Sequence, residues 1–505
     1  MVSVKAASQP EHTIQNTFEP STAGPVLFLC HFFGGIRNVV HSGMINDVRA
    51  HGLPAHLLAS KTNLTKKRFT AATMTVQSKK DTQPVDGNDE EHRELKSPPV
   101  TSNLIKLYKP LLWFQEVSYF RRNHLERHRL QAWWEQRDQP VWRQMRYAMA
   151  ESLGILGSQQ PFYGWLNGTL EWIKHRSWDI QPAREQMNEL KPSVVVATSC
   201  GSESEEPYLW VAHQMGIPTL GCILNLDSLN AHSFIPACDH YMVWSQHMKD
   251  ELLAYYPNVP VDHVHATGMP QFDFHAREEF RWTREETLKR LGLKPGDKYI
   301  LYATGRQFYT PKEPELFEEF SRKCAETPEL KAHKIVVRPH PMDELDRWDR
   351  FATADGRIVV SRPSAEAQQF AGPEDQALLV NTCYHADVCT NFFSTMSLDA
   401  AAVDTPVVCI AFAAEKDSQE DRYSREYYEM DYYKPIVASG GVRMAYDMDQ
   451  LMSEIVAYVQ DRSRDKAERS KLVVSECGPV DGKAAERIAD LIAVLAADYV
   501  KRGKA

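Results

Sequence analysis

The chain has 505 residues, 43% hydrophobic and 25% charged, with 58 Lys and Arg against 67 Asp and Glu for a net charge of −9. That length exceeds a single hydrophobic core and predicts several domains, while mild acidity argues against bulk nucleic-acid binding. The nine cysteines include no C-x-x-C pair, so neither a zinc ribbon nor a disulfide framework is suggested. No stretch nears ~18 consecutive apolar residues and the opening MVSVKAASQP lacks the apolar core of a signal peptide, so the expectation is a cytoplasmic protein.

Residues 1–23 are polar and read as a flexible tail. PVLFLCHFFGGIRNVVHSGMINDVRAHGLPAHLLAS then gives a buried strand over 26–30, a glycine turn, an amphipathic helix and a second strand near 56–59, the opening of an α/β unit. Residues 61–180 read as an insertion. Its first part, to the Ser-Pro-Pro break at 97–99, is polar and expected to be exposed and partly disordered. Residues 101–150 hold nine Lys and Arg against four Asp and Glu, interleaved with Trp113, Phe114, Tyr119, Phe120, Trp133, Trp134 and Trp142, in helical patterning. Three readings of this stretch stay open: core of an enlarged first domain, a grip on an anionic or lipid-linked acceptor, or contact with the inner membrane face.

Strand and helix alternate again through PSVVVATSC, the helix 205–215, IPTLGCIL, HYMVWS and VDHVHATG, which predicts a parallel doubly wound sheet. The segment 270–295 is the expected crossover. A second series follows with KYILYATG, HKIVVRPHP, RIVVS, a helix and strand around QALLVNTC, ADVCTN and TPVVCIAF, before long helices from about 445. The predicted division is an N-terminal, acceptor-side domain over 24–269, a C-terminal, donor-binding domain over 296–480, and a closing helix over 481–505 that packs back on the first domain.

Ligands of such sheets lie beyond the carboxyl ends of the strands. There the second half places Gly305 and Arg306, then Arg338 and His340 held between prolines, then Asn391 leading to Ser394, Thr395 and Asp399. Glycine admits close backbone approach, arginine binds phosphate through two parallel hydrogen bonds, and a helix start presents free N–H groups. Ser394 is the predicted N-cap. Three strand ends of this kind point to an anionic ligand, with Asp399 placed to accept from ribose hydroxyls. In the first half, His31 is the leading candidate for a general base, with Glu203 and Glu205 as the others. Gly34, Gly35, Asn225 and Asp227 are expected to line the acceptor side of the cleft. No D-x-D pair sits convincingly at a strand end, so donor charge is expected to be offset by Arg, His and helix dipole, with no metal and no cofactor.

The RPHP strand end at 338–341 and TNFFSTMSLD at 390–399 resemble the nucleotide-binding domain of GT-B glycosyltransferases. The likeness is to groups with an R-x-H-P strand end: CDP-glycerol glycerophosphotransferases, bacterial sialyl- and Kdo-type capsule transferases and, more distantly, the UDP-N-acetylglucosamine 2-epimerase fold. The resemblance implies two Rossmann-like domains facing a cleft, with His340, Ser394 and Thr395 on the donor phosphates and Asp399 on the ribose. Asn391 stands where many relatives carry Asp. A second similarity, to GT-B proteins with a GIPT…WDNLT…VWS…TG.PQFD series, covers 217–274 through Asp227, Leu229, Trp244, Gly268, Pro270, Phe272 and Asp273; Leu226 replaces the aromatic of its W-D pair. The implied function is metal-independent sugar transfer from a nucleotide-activated donor to a glycan, lipid-linked or small-molecule acceptor. The alternatives are a CDP-glycerol-type phosphotransferase and a non-catalytic nucleotide-sugar-binding protein.

Overall fold

The computed structural model describes residues 23–60, 92–125, 140–230, 233, 237–341, 343, 346–362 and 372–504. Two parallel sheets carry the architecture. The first contains β1 (Val26–Cys30), β2 (Ala55–Ala59), β3 (His92–Glu94), β4 (Val194–Ala197), β5 (Thr219–Cys222), β6 (His240–Val243) and β7 (Val264–Ala266), in the order β3-β2-β1-β4-β5-β6-β7. The second contains β8 (Tyr299–Ala303), β9 (Lys334–Arg338), β10 (Ile358–Val360), β11 (Val388–Asn391), β12 (Val407–Ile410) and β13 (Arg443–Ala445), in the order β10-β9-β8-β11-β12-β13. Strands such as VLFLC and YILYA are buried along their whole length, because helices cover both faces and leave no polar side.

The strand order reverses between β1 and β4 and between β8 and β11, and a crevice opens at such switch points. Register sharpens the second one. Ala303 pairs with both Arg338 and Asn391, so the three strands stop at one level and their following loops converge.

Three expectations are corrected. His92–Glu94 forms the outer strand β3 inside a stretch read as polar insertion; a three-residue edge strand leaves too little apolar pattern to detect. QALLVNTC is one helix, Pro373–Tyr384, rather than a helix and a strand; its buried Ala377, Val380 and Cys383 recur at helical spacing. The cap before Met396–Ala401 is Thr395, not Ser394, and it makes no side-chain cap bond; the Ser394 Oγ accepts from the Met396 N–H at 3.2 Å instead.

The insertion divides its aromatic residues. Tyr119 and Phe120 of the helix Tyr108–Arg122 are buried against the first domain, whereas Trp142, Met145, Met149, Leu153 and Leu156 of Val141–Gly157 are exposed, as are Trp165 and Trp172 of Gln160–Ser177. Trp133 and Trp134 lie outside the described residues. Among the described residues no helix is long and apolar enough to cross a membrane.

The chain passes between the domains twice, and the passes touch. In the crossover helix Pro270–Ala276, both carboxylate oxygens of Asp273 accept from Ala484 and Ala485 N–H at 2.9 Å, capping the helix Ala484–Lys504. Arg277 Nε donates to the Gly482 carbonyl at 2.9 Å and its Nη1 to that of Ser42 at 2.5 Å. Gly268 takes φ +78°, which a side chain resists, and a Cβ there would lie 3.1 Å from the Pro479 carbonyl. The helix Ala484–Lys504 then runs against Met44–Ala50 of the first domain, where His51 Nε2 meets Asp490 Oδ1 at 2.9 Å.

Candidate active site at the two switch points

On the first domain, His31 follows β1 and its loop is held by Glu205. The carboxylate of Glu205 is fully buried; Oε1 accepts from the His31 N–H and Oε2 from the Ser199 N–H, both at 3.0 Å. Burial pushes this carboxyl up to about 8 against the opposing pull of its backbone N–H donors. Glu205 is thereby a clamp between the ends of β1 and β4. Glu203 is exposed beside it. The His31 ring is half-buried and its pKa is lowered by burial, with Glu203 acting in the opposite sense. A ring held below its usual value is neutral near pH 7, the form that accepts a proton.

Gly34 and Gly35 serve packing. A Cβ on Gly35 would fall 2.3 Å from Thr198 Oγ1, and one on Gly34 would fall 3.2 Å from Leu224 Cδ2. The turn therefore lies directly on the end of β4. Asn225 is exposed, its N–H bonded to Ser228 Oγ at 3.1 Å. Asp227 is half-buried and acts electrostatically on Tyr432 of the second domain, whose phenol is raised first by burial, then by Tyr427 and Asp227. It thus faces the second domain.

On the second domain, Gly305 and the Thr310 hydroxyl both bond the buried Glu313 carboxylate, at 3.1 and 2.8 Å, and the Thr304 Oγ1 accepts from the His340 N–H at 2.8 Å. These bonds lock the ends of β8 and β9 together. Glu313, like Glu205, is pushed up to about 8 by burial. Arg306 is exposed. It lies near enough to His340 to reinforce the lowering of that ring's pKa, whose main cause is burial. Arg338 at the end of β9 carries a buried Nη1 with no hydrogen-bond partner among the described residues; burial lowers its pKa while Asp399 and Asp375 favour its charge.

The corner after β11 is held from within. Asn391 Oδ1 accepts from the Ser397 hydroxyl at 3.2 Å and the Ser394 N–H at 3.4 Å. Tyrosines from the segment 423–433 brace it further: Tyr428 OH accepts from the Phe393 N–H at 2.8 Å, Tyr433 OH lies 2.9 Å from Ser397 Oγ, and Tyr427 stacks on Phe393 at 4.1 Å. Ser394 stays half-exposed and Thr395 exposed, so a rigid corner presents hydroxyls after a strand that ends level with Arg338. Asp399 lies at the domain junction, with Oδ1 3.1 Å from Nε2 of the buried His275.

Sequence reasoning missed the residues around Asp399. Arg37 hydrogen-bonds Gln271 Oε1, and its guanidinium is lowered by burial while Asp399 favours its charge. His41, four residues on, is pushed down to about 4 by burial and by Arg37. Gln271 and His275 also stand four apart on one helix, so both pairs share a helix face; that spacing was the available signal, though it does not say which face meets the other domain. The tyrosine run RYSREYYEMDYY was a second unread signal.

Comparison with known proteins agrees with this geometry. The family model described as CDP-glycerol:poly(glycerophosphate) glycerophosphotransferase matches residues 211–494, more than half the chain. No curated protein sequence matches. Among solved structures the fold is similar to a putative UDP-N-acetylglucosamine 2-epimerase from Listeria monocytogenes, at 10% identity over 93% of this chain and 96% of that one, with a TM-score of 0.50. It is equally similar to the UDP-GlcNAc 2-epimerases of Methanocaldococcus jannaschii and of Neisseria meningitidis bound to UDP-GlcNAc, each at 11% identity over 93% of this chain and 99% of theirs, with TM-scores of 0.50. Those likenesses bear on the fold alone and agree with the two facing Rossmann-like domains. The chain belongs to the CDP-glycerol:poly(glycerophosphate) glycerophosphotransferase family and is a transferase of GT-B architecture.

Proposed function

We propose that the chain transfers a glycerophosphate group from CDP-glycerol, or a closely similar nucleotide-linked donor, to a hydroxyl of a glycan-like or polyol-phosphate acceptor in the cleft between the domains. The observation that carries this is Arg338 Nη1, buried and without a partner among the described residues, standing with His340, Arg306 and the Ser394–Thr395 corner at one sheet level. These groups take the donor phosphates. His31 takes the acceptor proton as that oxygen attacks the distal phosphorus; a new P–O bond forms, the diphosphate bridge breaks, and CMP leaves. Sugar transfer would use the same groups, with attack at carbon and release of a nucleoside diphosphate, so the nucleotide released separates the two chemistries. Cationic and hydroxyl groups are assigned to the donor charge and no metal is, so turnover is expected to survive chelation by EDTA.

The first test is thermal stability with CDP, CMP, UDP, GDP and dTDP. A nucleotide at ~100 times its dissociation constant stabilises by about 2.7 kcal/mol, and Arg338→Ala should remove that shift. No shift from any of the five would sink the donor-site reading.

A finer reading concerns the exposed apolar stripe Trp142, Met145, Met149, Leu153 and Leu156. We infer that it rests on an anionic lipid surface, because large apolar side chains at helical spacing combine with a stretch of nine basic against four acidic residues. Trp142→Glu with Met149→Glu should abolish cosedimentation with phosphatidylglycerol vesicles while leaving nucleotide-induced stabilisation intact. Unchanged sedimentation would remove the membrane from the account.

A further inference from the structure

Three chain segments meet at Asp399. Arg37 comes from the turn Arg37–His41 of the first domain, where the helix is locally wound as a π-helix, a form frequent at functional sites. Gln271 and His275 come from the crossover helix, and Arg338 and Asp399 from the second domain. Arg37 is fixed by its bond to Gln271; one helical turn further, His275 Nε2 lies 3.1 Å from Asp399 Oδ1.

Around this point several buried polar atoms have no hydrogen-bond partner among the described residues: Arg37 Nε, His41 Nδ1, His275 Nδ1 and Arg338 Nη1. Buried donors left unmatched are costly, about 1–3 kcal/mol each and more for charged groups, and native structures retain few of them. The arginine donors come from opposite domains and share one carboxylate.

We propose that Arg37 is a donor ligand supplied by the first domain, binding the distal phosphate of the diphosphate, with Gln271 and Asp399 as the positioning residues that aim it. This rests on the donor-site reading above. With the nucleoside on the second domain, Arg338 meets the proximal phosphate at the end of β9, and Arg37, approaching from the facing domain, meets the phosphate that carries the transferred group. Donor binding thereby joins the two domains through its own charge. The nucleoside monophosphate lacks the distal group and is held without Arg37, which eases its departure after transfer.

The test compares CDP with CMP, and UDP with UMP, by calorimetry on the full chain. Arg37→Ala should weaken the diphosphate roughly 10- to 100-fold, the size expected for a lost charge-assisted bond, and leave the monophosphate within about twofold. Arg338→Ala should weaken both. Arg37→Lys should recover part of the loss, since it keeps charge without the paired donors. If Arg37→Ala does not give a cooperative thermal transition, Arg37→Lys is read in its place, with several-fold weaker diphosphate and unchanged monophosphate binding expected. Unchanged diphosphate affinity, or equal loss for diphosphate and monophosphate, overturns the assignment while leaving the donor site standing. Failure of the unmodified protein to bind any of these nucleotides overturns both.

Discussion

Glu205→Gln tests the clamp beneath His31. The carboxyl is fully buried and is pushed from 4.5 to about 8 by that burial. Because the folded carboxyl holds its proton more tightly than the unfolded one, the stability it contributes is fully present below pH ~4.5. It is lost as pH rises toward about 8. At about 1.4 kcal/mol for each tenfold change in proton affinity, the loss between pH 5 and 8 comes to about 4 kcal/mol. Glutamine carries no such term. Its amide has one acceptor oxygen where the native side chain uses two, on the His31 and Ser199 N–H groups, so one bond is forfeited at about 1–3 kcal/mol. The variant should therefore be less stable than the native chain at pH 5, and the gap should close and reverse by pH 8. Urea denaturation at four pH values across that range reads the difference directly, with Glu313 cancelling because both proteins carry it. Parallel stability profiles for the two proteins would refute the reasoning.

Gly35→Ala forces a Cβ to within 2.3 Å of Thr198 Oγ1 and should cost about 1–3 kcal/mol; adding Thr198→Ala should recover part of this, measured as a shift in denaturation midpoint. Lys174→Ala strands Glu206, its partner at 2.6 Å with both side chains nearly inaccessible, and should cost about 3–5 kcal/mol. Lys174→Met with Glu206→Leu should restore most of that stability. His31→Ala should abolish turnover while leaving the thermal shift with nucleotide unchanged; retained turnover would remove His31 as base.

The sheets were legible because their strands are covered on both faces and read as apolar runs; ILYA, IVV and VVCI can hardly be placed elsewhere. The strand ends were legible for the same reason, since a run that stops at Arg338 or Asn391 fixes where the following loop opens. What those loops do internally was not. Asn391 and Glu205 carry groups able to serve a ligand, and their bonds instead hold backbone in place, which depends on partners six or 174 positions away. The TG.PQFD series resembles a family pattern; its glycine and aspartate hold the returning C-terminal segment, 211 and 212 residues on in the case of Asp273. Arg37 and His275 were unreadable because helical phase tells which residues share a face and says nothing about which domain that face will meet.

The paired passes between the domains set the mechanics of the cleft. A single connection would act as a tether and allow the halves to swivel or slide. Two connections lying side by side, pinned by Asp273 and Arg277, act as the knuckles of a hinge. Sliding would break the bonds to Ala484, Ala485, Gly482 and Ser42 together, whereas rotation about the line of the passes preserves them. In such a rotation the rim of the cleft farthest from residues 273–277 travels most for each degree turned.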